Sequence, residues 1–532
     1  MNRYAIHRSN IVQAGRTRRW TILGLVMTLI AAAIGGCARQ PYVLPISEQQ
    51  TIDRRIVEYP SGFELKPYIA NLTAPTAMTF DAQGTLLIAE GGIGGGSPRI
   101  FGIRPDGKRI DIYPTGRRIP LVESGFEIYG PIGGMVVDQG RIYVSHRDSK
   151  GRGVITAFGY DGSHTTVVAD LPAQGEFSVT DIAIAPSGRL FFGVGAATNS
   201  GVVGLDDWAM GWVDRYPKFC DLPWMDLKLL GYRFDTRNPR AGLFGGDDIA
   251  VTAPFQPFGT SNQTRIRRAP NEKPTGAIYS VNPAGGGLKV EAHGIRRPRG
   301  LAFNEDGNLY MTNNGMELRG TRPIKDDPDA LLKVVSGTWY GWPDFSTDLY
   351  PISDARFQPG AEMIIKSGYP DISFLIDHET SGLIRPNRNT LLRATFLPLS
   401  GAAKMDFAPA EGPFKDYHGN VIVALSGDTA PFATSGKKLL SPVGFKVVSV
   451  DVDAHLVKDF VRNTQGKPAS RLEDDPVALE RPIDVKFGPD GCMYILDFGE
   501  LSMRTGWPHV KSGSGRIFRL VPISTKTPPL EP

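Results

Sequence analysis

The sequence has few of the residues from which metal and redox centres are usually built. Its 532 residues include three cysteines and eight histidines. The cysteines form no CxxC pair and the histidines form no HExxH or HxH pattern, so a zinc site has little support. Cys220 and Cys492 could form a disulfide in an oxidising compartment. Their wide separation favours two separate buried thiols.

A long apolar run is found only near the N-terminus, at residues 20–34. Arg16, Arg18 and Arg19 precede it, and Gly35-Gly36-Cys37 follows it. A basic segment, a short apolar segment and small residues before a cysteine are typical of a bacterial lipoprotein signal. The sequence therefore predicts a signal peptide at residues 1–36 and lipidation of Cys37. The alternative is a signal anchor that stays uncut.

A basic balance that would favour nucleic acid is lacking once this segment is removed. The chain has a formal net charge of +4, and residues 1–36 carry five arginines and no acid. Removing five positive charges from +4 leaves the mature chain at −1. We therefore expect no nucleic-acid partner.

Long helical periodicity is nearly absent from residue 60 onward, and a short strand–turn–strand pattern recurs instead. Its copies begin at residues 77, 134, 181, 301, 404 and 484, as in AMTF-DAQG-TLLI and LAF-NEDG-NLYM. Asp-Gly turns of this kind favour a hairpin. A second pair of strands usually follows, for example at residues 99–103, 154–158, 277–281 and 445–450. The 62 glycines and 42 prolines also favour an all-β fold.

Six four-stranded units repeated about an axis predict a six-bladed β-propeller at residues 60–522. Because an open seam would leave unpaired sheet edges, residues 63–69 should pair with residues 516–520. Residues 37–59 are predicted to be a tether from the lipid anchor, and residues 523–532 a C-terminal tail. The spacing of the copies places long insertions in blades three to five. The largest, at residues 199–276, should pack as a cap on one face, with or without a function.

Polar residues at the ends of the inner strands should converge on the propeller axis. Those residues are Glu90, His146, Asn199, Asn313, Asn314 and Asp497. Each is either part of a site or an ordinary turn residue. Arg296 and Arg481 each precede an inner strand, where an arginine can bind an anion through two parallel hydrogen bonds. The alternative for each is a surface salt bridge.

Four strings of the sequence resemble a known family. They are GAATNSGVVG at residues 195–204, RGTRP at 319–323, WYGWPDF at 339–345 and RPIDV at 481–485. Together they resemble the glucose/sorbosone dehydrogenase group, six-bladed propellers that include sugar and pyranose dehydrogenases dependent on pyrroloquinoline quinone (PQQ). The resemblance covers residues 62–522 approximately.

The resemblance implies PQQ and calcium as cofactors and a sugar or related alcohol as substrate, with a quinone or a cytochrome accepting the electrons. It assigns PQQ binding to Arg296 and Arg481, and calcium binding to the carbonyl groups of Gly315 and Met316. Arg297 occupies the place of an asparagine in the family and is included with the cofactor-binding residues.

The histidine that serves as general base in the family is absent, because Phe177 stands at its position in the string Gly175–Ser178. Phenylalanine cannot accept a proton. His146 and Glu176 are the candidate substitutes, Glu176 on condition that burial raises its pKa. His293 is a further histidine close to the predicted site, but it is expected to face outward.

Three functions therefore follow from the sequence. The first is a PQQ-dependent sugar dehydrogenase anchored in the cell envelope and facing the periplasm. The second is a non-catalytic propeller lipoprotein that binds a saccharide or a protein. The third is a calcium-dependent hydrolase of the lactonase type, which would use Glu90, Asn199, Asn314 and Asp497. Ala38, which is not an aspartate, favours the outer membrane over the inner membrane.

Overall fold

Six sheets of four or five strands make up most of the part of the chain that the structure describes. The computed structural model describes residues 40–114, 126–241, 247–261, 266–364, 371–474, 476–503 and 505–523. The predicted signal peptide, Cys37 and nearly all of the predicted tail lie outside these residues. The six sheets are the blades of a β-propeller, which confirms the predicted fold.

The first half of the chain forms three outer-edge strands and the first three blades. The outer-edge strands are Tyr42–Val43 (β1), Val57–Glu58 (β2) and Phe63–Leu72 (β3). Blade one contains Pro75–Phe80 (β4), Leu86–Glu90 (β5), Arg99–Ile103 (β6) and Arg109–Tyr113 (β7). Blade two contains Tyr129–Asp138 (β8), Arg141–Arg147 (β9), Gly153–Phe158 (β10) and His164–Leu171 (β11). Blade three begins with Val179–Ile184 (β12) and Leu190–Val194 (β13).

A long insertion then interrupts blade three. It contains the helices Leu205–Ala209 (α1) and Trp212–Arg215 (α2), and the strands Leu227–Lys228 (β14), Phe234–Arg237 (β15), Ile249–Thr252 (β16) and Arg267–Arg268 (β17). Blade three is completed by Ala277–Val281 (β18) and Lys289–His293 (β19).

The second half of the chain forms blades four to six. Blade four contains Pro298–Phe303 (β20), Leu309–Asn313 (β21), Asp329–Lys333 (β22) and Leu392–Phe396 (β24). Between β22 and β24 lie Thr338–Trp339 (β23), Ala361–Ile364 (α3) and Arg388–Leu391 (α4). Blade five contains Ala402–Phe407 (β25), Asn420–Leu425 (β26), Lys446–Asp451 (β27) and Leu456–Asn463 (β28). Blade six contains Pro482–Phe487 (β29), Met493–Asp497 (β30), the hairpin Leu501–Met503 (β31) and Pro508–Val510 (β32), and Gly515–Pro522 (β33). Short 3₁₀ turns lie at Ile46–Glu48, Ile93–Gly95, Ala355–Phe357, Lys415–Tyr417, Phe432–Thr434 and Ala469–Arg471.

The recurring strand–turn–strand pattern forms the inner two strands of every blade. In blade four the turn follows from its sequence, because Asn304 Oδ1 accepts a hydrogen bond from the Asn308 N–H at 2.9 Å and Gly307 has φ of +75°. Side chains then join neighbouring blades. Asp181 accepts from the Leu301 N–H at 3.1 Å, and Asp484 accepts from the Met78 N–H at 3.0 Å.

Pairing of the two chain ends closes the ring as predicted. Strand β3 lies antiparallel to β33, with Leu65 opposite Leu520. Blade six therefore contains strands from both ends of the propeller, and no open seam is left there. The main apolar core lies at this closure and contains Leu65, Ile495 and Phe518.

The predicted tether is not a free linker over its described part. Strand β1 pairs with β3 at the edge of blade six, and β2 pairs with β28 at the edge of blade five. Ile52 and Val57 are buried in the core of the closure. Alternating apolar residues in this short segment cover two sheet edges, so residues from about 41 to 59 belong to the propeller.

The upper face, where each inner strand begins and its partner ends, carries a long cap. Strand β23, which follows β22 of blade four, pairs in parallel with β19 at the outer edge of blade three. It therefore runs toward the upper face. There Trp342 and Phe345 pack with Val202 and Phe255 of the blade-three insertion. The long insertions thus form a packed layer on one face, as predicted. None of the helices within the described ranges is long and apolar enough to cross a bilayer.

Candidate functional site

The inner strand pair of every blade loses its regular register near the upper face. In blade four, Pro298 lies opposite Asn313 and Gly300 opposite Thr312, so Arg299 is an extra residue. Comparable irregularities occur in the other five inner pairs. A β-bulge bends its strand and redirects a side chain. The bulge therefore decides where the Arg299 side chain points.

Most of the polar residues predicted to converge on the axis hold the fold together. Glu90 accepts from the Thr73 N–H at 2.7 Å and is paired with Arg99. Asn313 accepts from the Arg297 N–H at 2.9 Å, and Asp497 accepts from three backbone N–H groups. These contacts fix the strand ends and leave few of the carboxylate and amide oxygens for a ligand.

His146 cannot act as the general base in this arrangement. Its Nδ1 lies 2.8 Å from the Arg147 carbonyl oxygen, and its Nε2 lies 2.8 Å from the Thr156 hydroxyl. The carbonyl requires an Nδ1–H donor, so Nε2 accepts from Thr156 and both nitrogens are used. Burial lowers the pKa of His146 to about 4. His146 is a structural residue of blade two.

His293 is not directed outward as expected. It is buried beside Trp224, with ring centroids 4.8 Å apart, and burial lowers its pKa to about 4. It lies among Trp339 and Trp342 in the cap. His293 therefore packs in an apolar environment beneath the cap.

Asn199 is the central residue of the cap and fixes Arg296. Its side-chain oxygen accepts from Arg296 Nη2 at 2.9 Å and from the Glu317 N–H at 2.9 Å. Its backbone oxygen accepts from Arg296 Nε at 3.1 Å and from Trp342 Nε1 at 3.3 Å. Because Arg296 is fully buried and engaged by Asn199, its assignment as a cofactor-binding residue is not favoured.

The strings that carry the family resemblance meet in this cap. Arg322 donates to the backbone oxygens of Ser200 and Pro343, both at 3.0 Å, and lies 3.6 Å from Asp344. Gly195 permits a close approach of Phe177, since a Cβ there would lie 2.2 Å from the Phe177 Cβ. These strings therefore build the cap.

Arg319 is surrounded by carboxylates. Its guanidinium is paired with Glu176, with Asp206 at 2.5 Å and with Glu317 at 2.5 Å. Only 2% of the Arg319 side chain is exposed. Arg296 adds a second positive charge, 3.7 Å from Glu317 and 4.0 Å from Glu176. We call this group of residues the Arg319 cluster.

Burial and charge set different protonation states within the Arg319 cluster. Burial alone would raise the pKa of Glu317, but Arg319 and Arg296 bring it down to about 2. Burial raises the pKa of Glu176, and the two arginines offset this only in part. The pKa of the neighbouring Asp207 is also raised by burial and by Asp206. Glu176 Oε2 is buried and has no hydrogen-bond partner among the described residues.

Several other arginines of the upper face form no ion pair with a carboxylate in the described part of the chain. We call three of them, Arg147, Arg297 and Arg299, the axial arginines, and Arg481 is described separately below. Arg147 Nη2 donates to the Gly175 carbonyl at 3.1 Å, and Arg299 Nη1 donates to the Gly401 carbonyl at 3.1 Å and to the Ser426 hydroxyl at 2.6 Å. The guanidinium of Arg297 lies 4.9 Å from the centre of the Phe177 ring.

Two of the axial arginines, Arg297 and Arg299, are close enough for the charge of one to affect the other. Burial lowers the pKa of Arg299 well below its usual value, and the charges of Arg297 and Arg481 lower it further. Burial and Arg296 lower the pKa of Arg297. Phe177 contacts Arg297 and follows Gly175, the partner of Arg147, by two residues. The three guanidinium groups are half-buried and form no direct ion pair with a described residue, an arrangement that favours an anionic ligand.

Buried polar atoms without partners lie at the same end of the propeller. Among the described residues they include Thr76 Oγ1, Arg147 Nε, Ser178 Oγ, Thr180 Oγ1 and Asn314 Oδ1. These residues lie where the inner strands of blades one to four begin or where their partners end. Buried polar groups in folded proteins are nearly always hydrogen-bonded. Ligand or water atoms are therefore expected there.

Arg481 is directed toward blade five. Its Nη1 donates to the carbonyl groups of Ser426 at 2.6 Å and Gly427 at 2.9 Å, and its Nη2 donates to that of Asp428 at 3.1 Å. A cavity of about 440 Å³ lies over it. Arg481 thus reaches the upper face as predicted, but its guanidinium is held mainly by the backbone of the neighbouring blade.

The predicted calcium ligands do not form a complete site. Gly315 and Met316 are buried, and neither carbonyl oxygen accepts a hydrogen bond from a described residue. Asp329 and Asp327 accept from their N–H groups at 2.9 and 2.7 Å. No group of three acidic, histidine or cysteine residues suited to a metal occurs within the described ranges. Since calcium takes six to eight oxygen ligands, the residues present do not fit a calcium site of their own.

The four residues predicted for a calcium-dependent hydrolase have hydrogen-bond partners within the fold. Glu90 and Asp497 are used by backbone N–H groups, and Asn199 holds Arg296. The Asn314 side chain donates to Asp329 at 3.1 Å and to the Ala402 carbonyl at 2.8 Å. These four residues therefore do not form the acidic and amide cluster that the hydrolase would need.

Sequence reasoning missed Arg147, Arg299 and Arg319. Arg147 follows a predicted site residue, and Arg299 lies two residues after Arg297, so position alone gave a signal for both. Arg319 begins the RGTRP string, but nothing local indicates its ion pairs with Glu176 and Asp206, which lie more than 100 residues away in sequence. The two remaining cysteines, Cys220 and Cys492, are both free and buried, as predicted.

Comparisons with solved structures return propellers. No protein-family model and no curated protein sequence matches this chain. The PQQ domain of pyranose dehydrogenase from Coprinopsis cinerea is 14% identical, with 88% of this chain and 98% of that chain covered and a TM-score of 0.49. A putative oxidoreductase (glucose dehydrogenase) from Thermus thermophilus is 16% identical, with 86% and 100% covered and a TM-score of 0.45. The PQQ-bound aldose sugar dehydrogenase from Streptomyces coelicolor is 14% identical, with 87% and 99% covered and a TM-score of 0.44. Similarity at this level carries no argument about activity, so the function has to be inferred from the side chains of this chain.

Proposed function

We propose that this propeller binds a tricarboxylate quinone cofactor of the PQQ type at the axial arginines and oxidises a sugar or a related alcohol. The observation that carries the proposal is that Arg147, Arg297 and Arg299 lie at inner-strand ends of the upper face and form no ion pair with a described carboxylate, and that Arg297 and Arg299 are close neighbours. The cofactor has three carboxylates, which match three guanidinium groups in charge and in hydrogen-bonding geometry.

The residues present fit such a cofactor on two further points. The Phe177 ring contacts the Arg297 guanidinium without neutralising its charge. The unpartnered atoms of Ser178, Thr180 and Asn314 add donors and acceptors near the same strand ends. When bound, PQQ accepts the hydride of the alcohol.

Glu176 is the group of this chain suited to take the proton of the substrate hydroxyl. Arg319 engages its Oε1 and fixes the carboxylate, whereas Oε2 has no partner among the described residues. Because burial raises the pKa of Glu176, its carboxylate is a better proton acceptor than an exposed glutamate. The proton would be held at Oε2. Since the residues do not complete a calcium site, no step is assigned to calcium.

A second function is favoured by the loss of imidazole at the site. Phe177 occupies the place of the base, and both ring nitrogens of His146 are hydrogen-bonded within the fold. A propeller that binds an anionic or saccharide ligand without turnover would have these features. Binding and turnover therefore have to be measured separately.

The proposed location is the cell envelope, with the chain anchored through a lipid on Cys37 and facing the periplasm. The support is the sequence of residues 16–37. A quinone or a cytochrome would then accept the electrons. Mass spectrometry of the membrane-bound protein tests the anchor: a diacylglyceryl group on Cys37 is expected, and an unmodified cysteine in the mature protein would contradict it.

The cofactor proposal is tested by titrating purified protein with PQQ and following the absorbance of the quinone. Dye reduction is then measured with a panel of aldoses. Saturable 1:1 binding with sugar-dependent reduction is expected. Binding without reduction would favour the non-catalytic function, and the absence of PQQ binding would exclude the dehydrogenase.

A further inference from the structure

A cavity of about 440 Å³ lies on the upper face between blades five and six, over Arg481. Phe445 and Arg481 line its inner part, and Arg471, Glu480, His509 and Lys511 are among its other lining residues. Small-molecule sites usually measure about 300 to 1,000 Å³. The cavity is therefore large enough for one sugar ring with a charged substituent.

Arg481 is a buried cation without a carboxylate within 4 Å in the described ranges. It is 6% exposed, its Nε has no hydrogen-bond partner among the described residues, and its guanidinium lies 4.9 Å from the centre of the Phe445 ring. Three backbone carbonyls fix its other two nitrogens. The Arg481 side chain is thus held in position while its charge is left unpaired.

The acidic residues near Arg481 are occupied by other donors. Asp428 accepts from the Ala430 and Val443 N–H groups, and Asp497 accepts from the backbone. Glu480 accepts from the Ser470 N–H at 2.7 Å and hydroxyl at 2.9 Å. These carboxylates therefore do not form a direct ion pair with Arg481.

The charged side chains that line the cavity are more positive than negative only when Arg481 is included. Lys511 is paired with Glu500. Arg471 is exposed and forms no ion pair with a described residue. Counting Arg471, Arg481 and Lys511 against Glu480 and Glu500 leaves one positive charge in excess, which is the charge of Arg481.

Ser426 connects this cavity to the axial arginines. Its hydroxyl accepts from Arg299 at 2.6 Å, and its carbonyl accepts from Arg481 at 2.6 Å. A ligand over Arg481 would therefore lie one residue away from an arginine that we assign to the cofactor. This is the position expected for the substrate of a cofactor-dependent enzyme.

We propose that the cavity binds the carboxylate or phosphate of an anionic sugar derivative, so that the substrate class is an acidic or phosphorylated sugar and not a neutral aldose. The claim that the anionic sugar is a substrate rests on the proposed dehydrogenase function. The claim that the cavity binds it does not depend on that function.

Isothermal titration with three probes tests the proposal: glucose, glucuronate and glucose 6-phosphate. Glucuronate differs from glucose only at C6, where it has a carboxylate. Glucose 6-phosphate has a phosphate there, so the two anionic probes distinguish a preference for carboxylate from one for phosphate. We expect at least one of the two anionic probes to bind about tenfold or more tightly than glucose, and this preference to weaken with salt. Equal affinity for all three probes would overturn the proposal.

Two variants locate the binding. Arg471→Gln should weaken the preferred anionic probe about three- to tenfold, whereas Arg104→Gln, an exposed arginine between β6 and β7 on the lower face, should leave it unchanged. Arg481→Gln should remove the preference, with its melting temperature as the check on folding. Equal affinity in wild type and Arg471→Gln would place the anion elsewhere and contradict the proposal.

Titrations with and without PQQ separate this proposal from the cofactor proposal. Anion preference in a protein that does not bind PQQ would support the cavity site and exclude the dehydrogenase. PQQ binding without any preference for the anionic probes would retain the cofactor and exclude the cavity site.

Discussion

Two groups of arginines lie under the same cap and have opposite surroundings. Arg319 is paired with Glu176, Asp206 and Glu317. The axial arginines contact backbone carbonyls, a hydroxyl and an aromatic ring, but no carboxylate among the described residues. The contrast separates an arginine that holds the fold together from arginines whose charge is left for a ligand.

Neighbours in sequence fall on different sides of this contrast. Both guanidinium groups lie over the Phe177 ring, Arg296 at 4.7 Å and Arg297 at 4.9 Å from its centre, but only Arg296 is also fully buried and bound by Asn199. Residue type and position along the chain therefore do not tell the two roles apart. Each arginine's partners do.

Removing the charge of Arg319 should have the largest effect. Arg319→Gln leaves Glu176, Asp206 and Glu317 buried with only Arg296 close by. Breaking a buried ion pair costs about 3 to 5 kcal/mol. We expect a loss of that order in urea unfolding at pH 7, and less than about 1 kcal/mol for Arg299→Gln, whose partners are neutral. Equal losses in the two variants would remove the distinction between the groups.

A second test concerns His146, a buried group that is uncharged at neutral pH, and its effect on the pH dependence of stability. The pKa of a histidine in the unfolded chain is about 6.5, and that of His146 in the fold is about 4. Between these values the unfolded state binds a proton that the folded state does not, so stability is lost as pH falls from 6.5 toward 4. His146→Gln removes this dependence.

Urea unfolding of both proteins at pH 7 and pH 5 measures the effect. The variant should be less stable than wild type at pH 7, because two hydrogen bonds are lost. At pH 5 the difference should be smaller by about 2 kcal/mol, since each pKa unit corresponds to about 1.4 kcal/mol. A difference that is the same at both pH values would show that His146 does not titrate in this way.

Glu176 shares features of both groups of residues. Its Oε1 is paired with Arg319, whereas its Oε2 has no hydrogen-bond partner among the described residues. If it takes the substrate proton, Glu176→Gln should lower kcat about 100-fold or more while PQQ affinity changes less than threefold. The control is Glu64→Gln, which changes a half-buried glutamate in β3 that is paired with Lys66, remote from the upper face. Unchanged turnover in Glu176→Gln would exclude it as the base.

The smallest effect is expected from removal of calcium. The described residues offer the Gly315 and Met316 carbonyls but no group of three acidic, histidine or cysteine residues suited to a metal ion. Treatment with a chelator should therefore change PQQ affinity less than about twofold, measured by absorbance titration before and after dialysis. A tenfold loss restored by calcium would show that the carbonyls are completed by the cofactor.

The fold could be predicted from the sequence because it depends on local signals that repeat. Each inner hairpin combines apolar alternation with a turn such as the one containing Gly307, and six copies define six blades. The short strands of residues 42–58 gave no such signal. They are stabilised by pairing with the edges of blades five and six, whose strands lie far away in sequence. That segment was therefore wrongly interpreted as a tether.

The site could be predicted only in part because its side chains are placed by irregular contacts. Arg299 points where it does because a bulge adds one residue to its strand. Arg319 meets Asp206 through the fold of the cap, at a separation of 113 residues. Arg296 and Arg481 were correctly placed near the upper face, but sequence could not show that Asn199 and backbone carbonyls bind them.

The most direct test of the central claim is PQQ titration of wild type against the double variant Arg297→Asn, Arg299→Gln, with Arg104→Gln as control. The account predicts saturable binding to wild type, an affinity at least about tenfold lower in the double variant, and unfolding free energies that agree within about 1 kcal/mol. It also predicts weaker binding at high salt. Equal PQQ affinity in wild type and double variant, or no binding to either, would contradict the claim that these arginines are kept unpaired for an anionic cofactor.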